Sequence, residues 1–257
     1  MKTRPTLICV LFACVGAVFP SAGAAAATEW KVVETIHYAW LPGAAAYTFV
    51  LRVPVGYDSD GGYTQLQIRQ SDKLLLEVMD EDGLETIVDS LKSSRSEPRI
   101  RDNVLRSRHL LMLRDVHGKG QPPALFLFGR AFASDPGSLH VIELDKNGKP
   151  YEALHLSHLD VDGFEDVGRD GTPELIGWEC LVEDDGQQVG YQPFSLYRFG
   201  TPGSPMKFDL ALSRKYTLAH YYGWAGPGCR NDVIVVLHPP GGGKPEIMNA
   251  QKAKSLR

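Results

Sequence analysis

From Trp30 onward, short apolar runs alternate with clusters of Gly, Asp, Asn and Pro, the spacing of strands joined by tight turns. Residues 47–53 predict one strand. Leu66 and Ile68 then alternate with Gln65, Gln67 and Arg69, the period of two that marks a half-buried strand. After a turn at Ser71-Asp72, Leu74, Leu76 and Val78 predict the next strand, and Asp80-Glu81-Asp82-Gly83 closes the hairpin. Further strands are predicted over 109–113, 124–128, 139–144, 174–180, 194–199 and 233–237. Asn147-Gly148 marks a hairpin turn, because both residues tolerate positive φ. The acidic, glycine-rich segment 58–62 reads as another turn. Residues 92–107, polar and carrying Pro98, read as a surface loop. A single helix is predicted around 210–222. The tail 249–257 has Lys and Arg but no apolar face and is expected to be flexible. The fold class that follows is all-β, an array of short antiparallel strands in one domain over 28–248.

The first 27 residues stand apart from this pattern. Lys2 and Arg4 precede an apolar run over 7–19, and 21–27 offers small-residue cleavage positions. This is the layout of a secretory signal peptide, and the run is too short to span a bilayer. Lipid anchoring at Cys14 is the alternative. Cleavage removes two basic residues and no acidic one, leaving 25 Lys plus Arg against 31 Asp plus Glu, a net charge of −6. That balance argues against nucleic acid as a partner, which calls for a basic face. Cys180 and Cys229 are the cysteines that remain, and an exported chain makes a disulfide between them the default expectation.

The most distinctive stretch is 160–178. Asp160, Asp162, Glu165 and Asp166 lead through Asp170-Gly171 and Thr172-Pro173 into Glu174-Leu175-Ile176. Acids at alternate positions around a glycine turn, followed by an apolar run, suit a hard cation bound ahead of a buried strand. Part of this stretch recurs. Residues 115–125 align without gaps on 166–176: both open Asp-Val, carry Gly sixth and Pro eighth, and run into an apolar strand. A weaker third copy holds Gly243-Lys244-Pro245-Glu246-Ile247 and puts His238 first. The first two copies start 51 residues apart, an interval that suits a repeated four-stranded sheet of the kind found in propeller blades.

At these residues the chain resembles the FG-GAP or VCBS repeats, the blades of integrin-α-type β-propellers. The resemblance implies a β-propeller-like array and, in the best copy, a calcium loop with ligands at its first, fifth, seventh and ninth positions. Those positions hold Asp166, Asp170, Thr172 (through its carbonyl) and Glu174. The third position is Gly168, which offers no side chain, so Asp160 or Asp162 is the candidate replacement. The copy at 115 carries His117, Lys119 and Pro123 where the family has oxygen ligands, and an ammonium there repels a dication. That copy is expected to be metal-free.

Catalytic patterns are scarce. The sequence has no Gly-x-Ser-x-Gly elbow, His-Glu-x-x-His, Walker loop or EF-hand register. The cluster 220–229 gathers His, Tyr, Trp and Cys, but it reads as an aromatic core segment leading into a turn. His155 and His158, three apart, are expected to face opposite sides of a strand and so not to share a metal. The leading functional expectation is a secreted or periplasmic, non-enzymatic β-repeat binding protein with a protein or glycan partner. One alternative is an inhibitor of a lysozyme-type hydrolase, with the hairpins over 63–82 as its binding edge. A second is a glycan-active hydrolase using the acids near Asp166.

Overall fold

A computed structural model describes residues 28–57, 62–84, 109–113, 116–117, 121–130, 137–178, 183–184, 186–223 and 229–256. The expected signal segment over 1–27, the expected turn at 58–62 apart from Gly62, and the expected loop over 92–107 lie outside the described residues. The first sheet runs in chain order: β1 (Trp30–Tyr38), β2 (Tyr47–Pro54), β3 (Tyr63–Gln70) and β4 (Lys73–Leu84), all antiparallel. The second repeats the plan with β5 (Leu111–Leu113), β6 (Ala124–Phe128), β7 (Leu139–Leu144) and β8 (Pro150–Leu156).

The third sheet begins with β9 (Asp160–Glu165) and β10 (Glu174–Trp178). The short strands β11 (Glu183–Asp184), β12 (Gln187–Gln188) and β13 (Tyr191–Gln192) follow before β14 (Phe194–Arg198) and β15 (Lys207–Phe208) complete it. Helix α1 (Leu210–His220) then leads to β16 (Tyr222–Gly223), which pairs with β13, and to the hairpin of β17 (Val233–Leu237) and β18 (Glu246–Asn249). Helix α2 (Ala250–Lys254) closes the described chain. Among the described residues no helix is long and apolar enough to cross a membrane.

Side-chain alternation explains how these sheets stack. Leu125 and Leu127 of β6 enter a core shared with Phe49, Leu51, Leu66 and Ile68 of the first sheet. Their neighbours Ala124 and Phe126 point the other way, into a core with Phe164, Leu175 and Tyr197 of the third. The second sheet is therefore buried on both faces, which is why its strands read as nearly continuous apolar runs. The third sheet passes Ile176, Phe194 and Leu196 to α1, where Tyr216 meets them. Each fully buried Leu, Ile or Phe contributes on the order of 1.5–3 kcal/mol, so both shared cores hold the sheets face to face. Trp40, 1% exposed, adds a directional link by donating its indole N–H to the Pro123 carbonyl at 2.7 Å.

The mostly β reading holds, and several predicted strands match closely, β6, β7 and β17 among them. The predicted helix forms as α1, capped by Asp209, whose carboxylate accepts from Leu212 N at 2.9 Å. Three expectations are corrected, and an edge strand appears where none was predicted. Asp80 to Gly83 does not close a hairpin but continues β4 to Leu84, which pairs with Tyr63. Residues 30–38 form the edge strand β1. The acidic run from Asp160 is a strand, because Val161 and buried Phe164 face inward between the acids. The tail after Asn249 is helical rather than flexible: Asn249 caps it, and Ala250 and Ala253 are small enough to be buried against Ile234 and Val236.

Candidate functional site

The expected calcium turn lies between β9 and β10, the same connection that in the second sheet joins β5 to β6 and holds the other copy. The third copy falls in the β17–β18 connection. The structure brings Asp166, Asp170, Thr172 and Glu174 into one turn, but their polar atoms already have partners. Asp166 accepts from Asp170 N at 3.0 Å and Gly171 N at 2.9 Å, and Asp170 accepts from Thr172 N at 3.0 Å. Glu174, 1% exposed, accepts from Val167 N at 2.9 Å and Gly168 N at 3.2 Å. Burial raises its pKa, against the pull of those two amides and of Arg198.

Arg198 of β14 supplies the positive charge. Its Nη1 lies 3.3 Å from Asp170 Oδ2, and its Nε lies 3.3 Å from Glu174 Oε1 and 2.8 Å from Asp209 Oδ2. The guanidinium lies over the third turn position: a Cβ on Gly168 would come within 2.7 Å of Arg198 Nη2. In the second sheet the third position, His117, likewise meets a charged residue of the third strand, with Nε2 3.1 Å from Glu143 Oε1. Asp160 and Asp162 do not replace the missing ligand. Asp160 pairs with Trp178 at the far end of β10, whereas Glu165 pairs with Glu174. At roughly 3.3 Å per residue that puts Asp160 some 16 Å from the turn. Burial, and then the neighbouring Asp162 charge, raise the Asp160 pKa.

The expected Cys180–Cys229 bridge falls outside the described residues at Cys180. Cys229 is a free, half-buried thiol whose Sγ lies 3.8 Å from Gln188 Oε1. In the 220–229 segment, Trp224 to Gly228 also lie outside the described residues. His220 packs its ring on Tyr216 with centroids 4.2 Å apart.

A second constellation, absent from the sequence reading, lies where the first two sheets meet. A cleft of about 290 Å³ is lined by Asp80, Glu81, Asp82, Arg130, His155 and His158 among others. Behind it, buried His140 of β7 places Nδ1 2.7 Å from Glu152 Oε1 and Nε2 3.5 Å from Asp80 Oδ2. Ser138 donates its hydroxyl to the same Asp80 oxygen. The His155 ring stacks on His140 with centroids 4.2 Å apart and planes 17° apart. Burial works against charge on His140, but its hydrogen bonds to Asp80 and Glu152 outweigh it and raise the pKa above the ordinary imidazole value. Burial likewise opposes ionisation of Asp80, and bonds from His140 and Ser138 overcome it and lower the pKa. The His140 bond lowers the pKa of Glu152.

Strand register explains the convergence. His140 pairs with His155 and Val141 with Leu154, but Ile142 pairs with Glu152, so β8 carries one extra residue. A bulge of this kind re-aims a side chain, and it lets Glu152 and His155, three apart, meet the same partner. His155 and His158, expected on opposite sides of a strand, line one cleft because β8 ends at Leu156 and His158 lies in the connection beyond it. In the sequence, the clues were polar His140 inside the apolar run 139–144 and the acidic segment at 80–82. His140, Glu152 and His155 offer donor atoms all within 4.8 Å of one another and are the described residues suited to a metal ion.

No protein-family model, curated protein or solved structure matches this chain.

Proposed function

We propose that this chain is a secreted or periplasmic, non-enzymatic β-repeat binding protein whose partner, a protein or a glycan, docks at the cleft between the first two sheets. The observation that carries the reading is the cleft itself. It is built from the ends of β4, β6 and β8, of which β4 and β6 share one core and β6 and β8 another, and it presents acids, an arginine and two histidines together. The successive four-stranded antiparallel sheets, with the Asp-Val turn at the same connection in the second and third, support a propeller-like array resembling FG-GAP or VCBS blades. In this reading Arg198 takes the place that calcium holds in the family's loops.

The arrangement favours binding over nucleophilic catalysis. Ser138 donates to Asp80 and not to His140, and both His140 nitrogens face carboxylates, so the imidazole has no lone pair directed at the hydroxyl. The acids near Asp166 are similarly engaged: Asp166 with its own turn, and Glu165 with Tyr216 Oη at 3.4 Å. An inhibitor of a lysozyme-type hydrolase is the second reading, favoured by the exposed Glu81 and Asp82 at the cleft rim, whose charge complements a basic enzyme surface.

The test is to incubate the mature protein with soluble peptidoglycan fragments and, separately, with a lysozyme, following both binding and product release. Saturable binding with the glycan intact, or stoichiometric slowing of the lysozyme, is the expected result. Steady release of new reducing ends by the protein alone would replace this reading with a hydrolase.

A further inference from the structure

We propose that His140, Glu152 and His155 form a site for a divalent transition metal of the zinc class, with the fourth coordination position left to solvent or to a ligand in the cleft. Two imidazoles and a carboxylate are a donor set suited to zinc and its neighbours, and three protein ligands leave such an ion an open position. The site forms one wall of the proposed binding cleft and so deepens that reading, although uptake of the ion itself needs no partner.

Three features of the fold converge on it. The extra residue in β8 brings Glu152 and His155 to bear on one residue of β7. Asp80 lies 3.5 Å from His140 Nε2, which leaves Nδ1 as the nitrogen aimed at Glu152. This is the carboxylate–histidine arrangement that fixes the ring of a metal ligand, and Ser138 in turn holds Asp80. Finally, His140 is buried while Glu152 and His155 are exposed, so two side chains with room to turn face a fixed one. For metal–donor bonds of roughly 2.0–2.1 Å the donors must stand about 3.3 Å apart: His140 Nδ1 and Glu152 Oε1, now 2.7 Å apart and joined by a hydrogen bond, must open slightly as the proton between them leaves, while the His155 nitrogen, now within 4.8 Å of both, must close in. That needs a movement of roughly 1–1.5 Å, supplied by turning the His155 ring out of its stack. Asp80 is a positioning residue here, not a ligand.

The test uses the whole mature protein, stripped with EDTA and then freed of chelator. Titration with Zn²⁺ should show one equivalent bound, and Co²⁺ should give visible ligand-field bands of four-coordinate intensity. His155→Ala and Glu152→Gln, both at exposed positions and checked for an unchanged melting temperature, should each weaken uptake at least tenfold and erase the bands. Asp80→Asn should retain the bands with affinity lowered about tenfold, the size of effect expected for an outer-shell partner. Absence of a stoichiometric site, or one unchanged in His155→Ala and Glu152→Gln, overturns the proposal. Partner binding measured in EDTA reports on the cleft alone, so failure of the metal site and failure of the binding reading are separately visible.

Discussion

Arg198 Nε lies 3.3 Å from Glu174 Oε1 and 2.8 Å from Asp209 Oδ2, so one guanidinium joins the turn before β10 to the cap of α1. The Arg198 side chain is 40% exposed, which limits its direct Coulombic contribution. Its larger effect is on Glu174, whose carboxylate is almost wholly buried. Arg198→Ala is expected to destabilise the protein by about 1–3 kcal/mol, the cost of a buried group losing a charged partner.

The same pair predicts a pH dependence. The Glu174 pKa is raised in the folded protein, chiefly by burial. Across the window between its unfolded and folded values the native state binds more protons, so this group's contribution to stability falls as pH rises. Removing Arg198 widens that window. The melting-temperature deficit of Arg198→Ala should therefore be larger at pH 7 than at pH 4.

Calcium gives an independent check on the turn. Because Arg198 lies over the third position, the melting temperature of the protein already stripped of metal should be the same with and without millimolar calcium. A native-state ligand must otherwise raise it. The double variant Gly168→Asp with Arg198→Ala removes the guanidinium and restores a side-chain oxygen, and it should acquire a calcium-dependent rise. A rise in the unaltered protein would show that the turn binds the ion despite Arg198.

Trp40 tests the packing of the first two sheets. Trp40→Phe keeps a ring in the shared core but leaves the Pro123 carbonyl without its donor. A loss of about 1–3 kcal/mol is expected, read as a lower denaturant midpoint with an unchanged slope.

Much of this architecture was legible because the second sheet is buried on both faces, and apolar runs such as 124–128 and 139–144 admit little else. The acidic strand β9 was not, since Asp160 and Asp162 are the outward residues of a strand and also fit a cation loop. The turn 166–174 was found as a turn, but Arg198 reaches it from β14 and no local pattern signals that contact. The cleft was missed for the same reason. Asp80, His140 and Glu152 come from β4, β7 and β8, and the extra residue in β8 breaks the period of two that would otherwise set Glu152 and His155, three apart, on opposite faces.

The central claim is that the cleft between the first two sheets, and not the turn at 166–174, is where this protein meets its partner. The most direct measurement is equilibrium binding of a lysozyme and of soluble peptidoglycan fragments to two variants, Glu81→Lys and Asp170→Ala. Glu81 is exposed at the cleft and Asp170 is exposed on the turn. The account predicts that Glu81→Lys abolishes the binding shown by the unaltered protein while Asp170→Ala retains it. Binding that survives in Glu81→Lys and disappears in Asp170→Ala would contradict it.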